Sequence, residues 1–139
     1  MSTPPVETPY DRLGGEAVVR ELGRRFYDHM EAHEPELTAV HKCDAPGKIA
    51  VETRERFTLF LVGWLGGPQD YMARHGHPRL RMRHGHVPID SSMRDAWLRC
   101  MQAALSETQA EHGFDPEVRA FLDQRFAEVA DFLRNRPDA

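Results

Sequence analysis

The chain has 139 residues, a length that predicts one domain with a core large enough to need no disulfide bonds. Hydrophobic residues make up 40% and charged residues 29%, as in ordinary soluble globular proteins, and the net charge of −4 argues against a nucleic-acid-binding function. The sequence contains no apolar run of membrane-spanning length, no secretory signal and only two cysteines, Cys43 and Cys100, so we expect a cytoplasmic protein with free thiols.

The N-terminal region is predicted to change from a tail to a long helix. Residues 1–9 contain three prolines and little to bury, so we expect a flexible tail before one domain that spans residues 10–136. A short helical turn near Tyr10 should stop at Gly14. From about residue 16 to residue 31, apolar side chains recur at three- and four-residue steps, which predicts an amphipathic helix.

The next elements are a short helix, a loop and a second long helix. Pro35 favours a helix start, and residues 42–48 have the composition of a loop. A helix is then predicted from about residue 48 to residue 65, with its apolar residues on one face. Residues 66–68, Gly-Gly-Pro, end this helix because glycine supplies the cap and proline cannot continue it.

The C-terminal half combines two weak segments with two long helices. Residues 69–74 and 78–84 are too short to be stable helices on their own. Asp90 is the predicted N-cap of a long helix, and Asp115 is that of the last helix, whose apolar stripe reaches Leu133. Because the sequence has no convincing alternating strand pattern and no internal repeat, we predict an all-α fold.

One basic segment carries most of the functional information. It contains Arg74, His75, His77, Arg79, Arg81, Arg83, His84 and His86, and no acidic residue follows until Asp90. So many cations would repel a zinc ion. Haem requires the opposite arrangement, a neutral imidazole for the iron and guanidinium groups for two anionic propionates. The charge pattern therefore makes haem the leading hypothesis.

Other interpretations of this segment remain open from the residues alone. Local hydrogen bonds cannot order so short a segment, so either a bond from His84 to iron holds it or it is a solvent-exposed basic loop. A non-haem helical regulatory module would use this loop to bind an anionic partner. A His-rich metal-binding protein would use the two His-Gly-His triplets, although their spacing is not specific for any metal.

Several motifs resemble those of group II truncated haemoglobins over nearly the whole chain. They are YDRLGG at 10–15, RFY at 25–27, GGPQDY at 66–71, GHPRLRMRH at 76–84, PI at 88–89 and RDAWLRCM at 94–101. The resemblance implies a truncated globin-like two-over-two helical sandwich that encloses haem b.

The resemblance also implies roles for individual residues. His84 matches the proximal iron ligand, and Tyr27 and Trp97 match side chains that stabilise a ligand on the distal side. His41 falls where the family has an aromatic residue, and the alternative is a loop residue outside the haem cavity. Further haem contacts are implied for Thr53, Phe57, Phe60, Tyr71, His77, Leu80, Arg83, Ile89 and Met101, with Tyr71, His77 and Arg83 near the haem edge. His75 and His86 are expected to be solvated.

These assignments predict a protein that reversibly binds O2 at a penta-coordinate haem iron. Distal hydrogen-bond donors would slow ligand release, which fits ligand sensing, or redox chemistry on NO or peroxide, better than bulk O2 transport. We expect O2, NO and CO as ligands, a reductase as partner and a monomer or homodimer. An NO dioxygenase or peroxidase-like activity is the expected form of turnover, and neither nucleic acid nor membrane is an expected partner.

Overall fold

The computed structural model describes residues 7–85 and 87–138, with the backbone alone for Arg81 and Arg83. Eight helices and one β-hairpin form this described part of the chain. In chain order they are α1 (Pro9–Leu13), α2 (Glu16–His33), α3 (Pro35–Ala39), β1 (Cys43–Ala45), β2 (Lys48–Ile49), α4 (Val51–Trp64), α5 (Asp70–His75), α6 (Leu80–Arg83), α7 (Ser91–His112) and α8 (Pro116–Phe132).

Side-chain caps define the starts of three helices. The Thr8 hydroxyl accepts a hydrogen bond from the backbone of Asp11 at the start of α1. Asp90 and Asp115 cap α7 and α8 in the same way, as the sequence predicted, and each accepts from the backbone N–H three residues later. Such caps satisfy N–H groups that have no partner within the helix, and each contributes about 1 kcal/mol.

The long helices form the predicted two-over-two sandwich. α2 packs against both α4 and α7, and α7 also packs against α8. The core between them contains fully buried apolar side chains, among them Leu22, Met30, Leu61, Leu105 and Leu122. Burying each such side chain contributes about 1.5–3 kcal/mol, so the apolar stripes that predicted the helices also hold the layers together.

A glycine permits the close contact between α2 and α4. A Cβ atom at Gly23 would lie 2.7 Å from the hydroxyl oxygen of Thr58, which is closer than real side chains approach. Only glycine lets the two helices meet at this distance without displacing Thr58.

The segment between α3 and α4 differs from its prediction. Where we expected a loop and then a helix from residue 48, β1 and β2 form an antiparallel hairpin and α4 begins at Val51. The Ile49 N–H donates to a Glu31 carboxylate oxygen at 2.8 Å, which fixes the hairpin to α2. Strands of three and two residues are too short to produce an alternating pattern in the sequence.

At the N-terminus, α1 begins within the predicted tail. Thr8 caps this helix, and Pro9 is its first residue, one position before the predicted start of the domain. Residues 1–6 of the predicted tail lie outside the described residues. No helix within the described ranges combines the length and apolar character needed to cross a membrane.

Candidate functional site

The long helices and the His84 segment enclose a mainly apolar cavity of about 600 Å³. This volume is typical of sites for small molecules and cofactors, which occupy about 300–1,000 Å³. Ten of the residues singled out in the sequence line it: Tyr27, His41, Thr53, Phe57, Phe60, Tyr71, Leu80, His84, Ile89 and Trp97. The fold thus brings together residues that are up to 70 positions apart in the chain.

His84 lies directly after α6 and is half-buried in the cavity wall. Its Nδ1 lies 2.6 Å from the carbonyl oxygen of Leu80. Because a carbonyl oxygen only accepts, Nδ1 must carry the proton, and the neutral ring then keeps its lone pair on Nε2. This arrangement gives an imidazole suited to bind a metal, since the backbone fixes both its tautomer and its orientation.

Tyr27 lines the cavity from α2 and is almost completely buried. Its ring packs edge-on against Phe26 and Phe57, and the Arg54 guanidinium lies over it at 5.4 Å. Burial raises the pKa of Tyr27 above its ordinary value, and Arg54 opposes this only in part. The hydroxyl therefore stays protonated at neutral pH and is available as a hydrogen-bond donor.

Trp97 lines the cavity from α7 and packs against Phe26 and Phe126, with ring centroids 5.1 and 5.8 Å away. Neither its indole N–H nor the Tyr27 hydroxyl has a hydrogen-bond partner among the residues that the structure describes. A donor that lines a cavity and has no such partner is available to a ligand there. The cavity wall therefore has two donors suited to a ligand with partial negative charge.

His41 lies in the cavity wall rather than in a loop outside it. Its Nδ1 donates to the carbonyl oxygen of Leu37 at 2.8 Å, and its ring meets Tyr27 edge-on with centroids 6.0 Å apart. Burial lowers the pKa of His41; the Leu37 carbonyl opposes this shift, and the nearby His84 adds to it. The ring is therefore neutral at pH 7, and its Nε2 accepts hydrogen bonds but cannot donate them.

Two predicted contact residues do not line the cavity. Met101 is fully buried in the core that α2 and α7 share, and Met93, two turns earlier on α7, lines the cavity instead. The sequence placed both methionines on one apolar stripe, which cannot distinguish a cavity wall from a helix contact. His77 is exposed, and its Nδ1 accepts a hydrogen bond from the Arg79 N–H at 3.0 Å.

Three further predictions concern the basic segment. His75 is half-buried against the ring of Tyr71, at 5.1 Å, rather than free in solvent as expected. The Arg83 side chain and all of His86 lie outside the part of the chain that the structure describes.

Sequence reasoning missed a charged group at the cavity wall. Lys42 and Arg56 are exposed there, and both face Glu52, at 3.4 and 3.9 Å. Arg56 is three residues after Thr53 on α4, and residues three apart lie on the same side of a helix. The predicted contact at Thr53 could therefore have indicated Arg56 as well. The exposure of these side chains identifies this wall as the cavity mouth.

The C-terminal helix also contributes residues that were identified only as core. Phe126, Val129, Ala130 and Leu133 line the cavity, and the Trp64 ring lies 5.1 Å from that of Phe126. Their apolar periodicity predicted the helix, but it could not reveal that one side of this stripe faces an open volume.

A helical cavity lined by the His84 and His41 imidazoles together with hydroxyl and indole donors is arranged like the haem site of a globin. Residues 8–130 match the family described as bacterial-like globin. The group 2 truncated haemoglobin YjbI of Bacillus subtilis (strain 168) is 35% identical over 131 residues, which are 94% of this chain and 91% of that protein.

Solved structures agree with this comparison. The group II truncated haemoglobin of Bacillus anthracis has a TM-score of 0.85 at 33% identity, covering 97% of this chain and 96% of that one. The haemoglobin of Chloroflexus aurantiacus has a TM-score of 0.83 at 37% identity, covering 94% and 100%. The chain belongs to the bacterial-like globin family and is a group II truncated haemoglobin.

Proposed function

We propose that the protein binds haem b in this cavity, that His84 would hold the iron, and that the haem would reversibly bind O2. The observation that carries this proposal is the His84 imidazole, whose Nδ1–H is held by the Leu80 carbonyl and whose ring faces the cavity. The volume and apolar wall of the cavity also fit a porphyrin, which is a large and mostly apolar group.

Bound haem supplies an iron that binds diatomic ligands and exchanges electrons. The protein supplies the surroundings. The hydrogen bond to Leu80 fixes the tautomer and the orientation of the His84 ring. Lys42 and Arg56 place positive charge at the cavity mouth, where it suits the propionates, and the basic segment with Arg83 suits them as well.

The distal donors favour slow release of the ligand. Tyr27 and Trp97 each offer one proton, and a hydrogen bond to a charged acceptor contributes about 1.5–3 kcal/mol. Such retention suits ligand sensing, or an NO dioxygenase or peroxidase-like reaction, better than bulk O2 transport. We propose NO and CO as further ligands and, for turnover, a reductase that restores the reduced iron.

The remaining proposals concern organisation. A single globin domain over residues 10–136 contains the described helices except for the first residue of α1, and we expect it to act as a monomer or homodimer. A cytoplasmic location is supported by the free thiols of Cys43 and Cys100, which do not form a disulfide bond.

The decisive experiment is the visible spectrum of the purified protein, oxidised and then reduced with dithionite. We expect a haem spectrum in the wild type. A colourless protein would favour a helical regulatory module, and nickel or zinc binding without haem absorption would favour a His-rich metal-binding protein.

We predict that His84→Ala abolishes stable haem binding and lowers the melting temperature, because a cofactor bound only to the folded state stabilises it. The matched control is His77→Ala, which changes an exposed histidine in the same segment and should retain the haem. A His84→Ala protein with wild-type haem content and an imidazole-ligated spectrum would show that the axial ligand is another residue.

A further inference from the structure

The segment that carries His84 has little structure of its own to hold it. α6 contains only four residues, and it begins after Arg79, whose backbone has the unfavourable left-handed conformation with φ 47°. The described residues between α6 and the start of α7, 84–85 and 87–90, form no regular element. An isolated helical turn of this length is not stable, so contacts from elsewhere in the chain must position His84.

The C-terminal segment after α8 supplies these contacts through Asn135. Its side-chain Oδ1 accepts from the Ile89 N–H at 2.9 Å, and its Nδ2 donates to the carbonyl oxygens of Val87 and His84 at 2.9 and 3.1 Å. Carbonyl oxygens only accept and a backbone N–H only donates, so these partners fix the orientation of the amide. The backbone N–H groups of Asn135 and Arg136 both donate to the Ile89 carbonyl.

We propose that Asn135 is a positioning residue that fixes the His84 segment onto the end of α8, so that the imidazole is in place before haem binds. This inference rests on the proposed function, because it assumes that His84 is the axial ligand. His84 is held on two sides: Leu80 fixes its ring and Asn135 fixes its carbonyl group. Ordering a ligand in advance lowers the cost of binding, and residues that orient metal ligands typically change metal affinity by about 10- to 100-fold.

The first test is the rate of haem transfer from the ferric holoprotein to excess haem-free myoglobin. We expect Asn135→Ala to release haem about 10-fold faster or more. The iron–imidazole stretching band of the ferrous protein should also shift or broaden in resonance Raman spectra, because the His84 backbone is no longer fixed and the ring moves with it. A general loss of stability would not by itself move that band.

The matched control is Asp138→Ala. Asp138 belongs to the same C-terminal segment, but it accepts from the backbone and hydroxyl of Ser91, at the start of α7. This variant should release haem at nearly the wild-type rate. If both variants accelerate haem loss equally, docking of the whole C-terminal segment is responsible and the proposal for Asn135 is wrong.

A second variant separates the two halves of the Asn135 side chain. Asn135→Asp keeps an oxygen that accepts from Ile89, but it replaces the donor to His84 and Val87 with a second oxygen. We expect slow hydrogen exchange of the Ile89 amide in this variant together with fast haem loss, whereas Asn135→Ala should lose both properties. Wild-type haem loss and an unchanged stretching band in both variants would overturn the proposal while the proposed function stands. A wild-type protein that takes up no haem would refute the proposed function itself.

Discussion

Tyr27 and Trp97 reach the same cavity from two different helices, and each carries a proton that no described residue accepts. Substitution of these two side chains therefore tests hydrogen bonding to the ligand separately from haem binding. Tyr27→Phe and Trp97→Phe remove one donor each and retain most of the packing against Phe26.

We predict that each variant releases O2 about 10- to 150-fold faster, which corresponds to a loss of about 1.5–3 kcal/mol. The double variant should be slower than the product of the two effects implies, because both donors share one acceptor. Stopped-flow displacement of O2 by CO measures these rates. Identical rates in the wild type and both single variants would exclude the two donors from ligand stabilisation.

His41 adds a donor that depends on pH. Its Nδ1–H is committed to the Leu37 carbonyl, so Nε2 can donate only when the ring is protonated. Burial lowers the pKa of His41 below its ordinary value near 6.5, and so the change falls on the acidic side of that value. A bound ligand that accepts from Nε2–H favours the charged ring, so the extra retention exists below the pKa and disappears as pH rises through it.

We therefore predict that O2 dissociation is constant above neutral pH and becomes slower as the pH falls below about 6.5. His41→Phe should remove this dependence, and His77→Ala, which changes an exposed histidine, should keep it. Dissociation rates measured by stopped flow from pH 5 to 8 make the comparison. If His41→Phe retains the wild-type pH profile, another group titrates and His41 does not reach the ligand.

At the scale of elements, the sequence predicted the long helices well because each carries its own periodicity and cap. Asp90 and Asp115 cap α7 and α8 where expected, and the positions of Gly14 and residues 66–68 agree with the ends of α1 and α4. The hairpin at residues 43–49 was missed because tertiary contacts create it. The Ile49 N–H of this hairpin donates to the carboxylate of Glu31, which is 18 residues earlier in the chain.

The cavity was only partly predictable for the same reason. Family motifs located His84, Tyr27 and Trp97, whereas residues on α8 were predicted only as a buried face. Asn135 gave no signal, because a lone asparagine near a chain end is typical of a surface turn. Its role depends on a partner 51 residues away, and a linear sequence does not reveal such a partner. The features that the sequence could not predict are those formed by contacts between segments that lie far apart in the chain.

At the scale of the whole molecule, a network of charges joins the two layers of the sandwich. Glu21 on α2 accepts from Arg25 at 2.7 Å and contacts His112 at the end of α7. Arg25 also contacts Glu107 and Glu111 on α7. The hydrogen bond from Arg25, followed by that from His112, lowers the pKa of Glu21 from its ordinary 4.5 to about 2.

This shift makes the stability of the sandwich depend on pH. A carboxyl whose pKa is lower in the folded state stabilises that state fully above its unfolded pKa, and the contribution is lost as the pH falls through the folded pKa. For Glu21 the window therefore runs from about pH 4.5 down to about pH 2. Because the groups lie near the surface, salt should weaken the network as well.

We predict that Glu21→Gln lowers the free energy of unfolding at pH 7 and flattens its decrease between about pH 4.5 and pH 2. Glu36→Gln is the matched control, since Glu36 is exposed and makes no ion pair with any residue that the structure describes, and it should follow the wild type. Urea unfolding of the three ferric proteins between pH 7 and pH 2 measures these free energies. Because acid also releases haem, the quantity to compare is the difference in the free energy of unfolding between each variant and the wild type. Parallel curves for Glu21→Gln and the wild type would place the acid sensitivity at other groups.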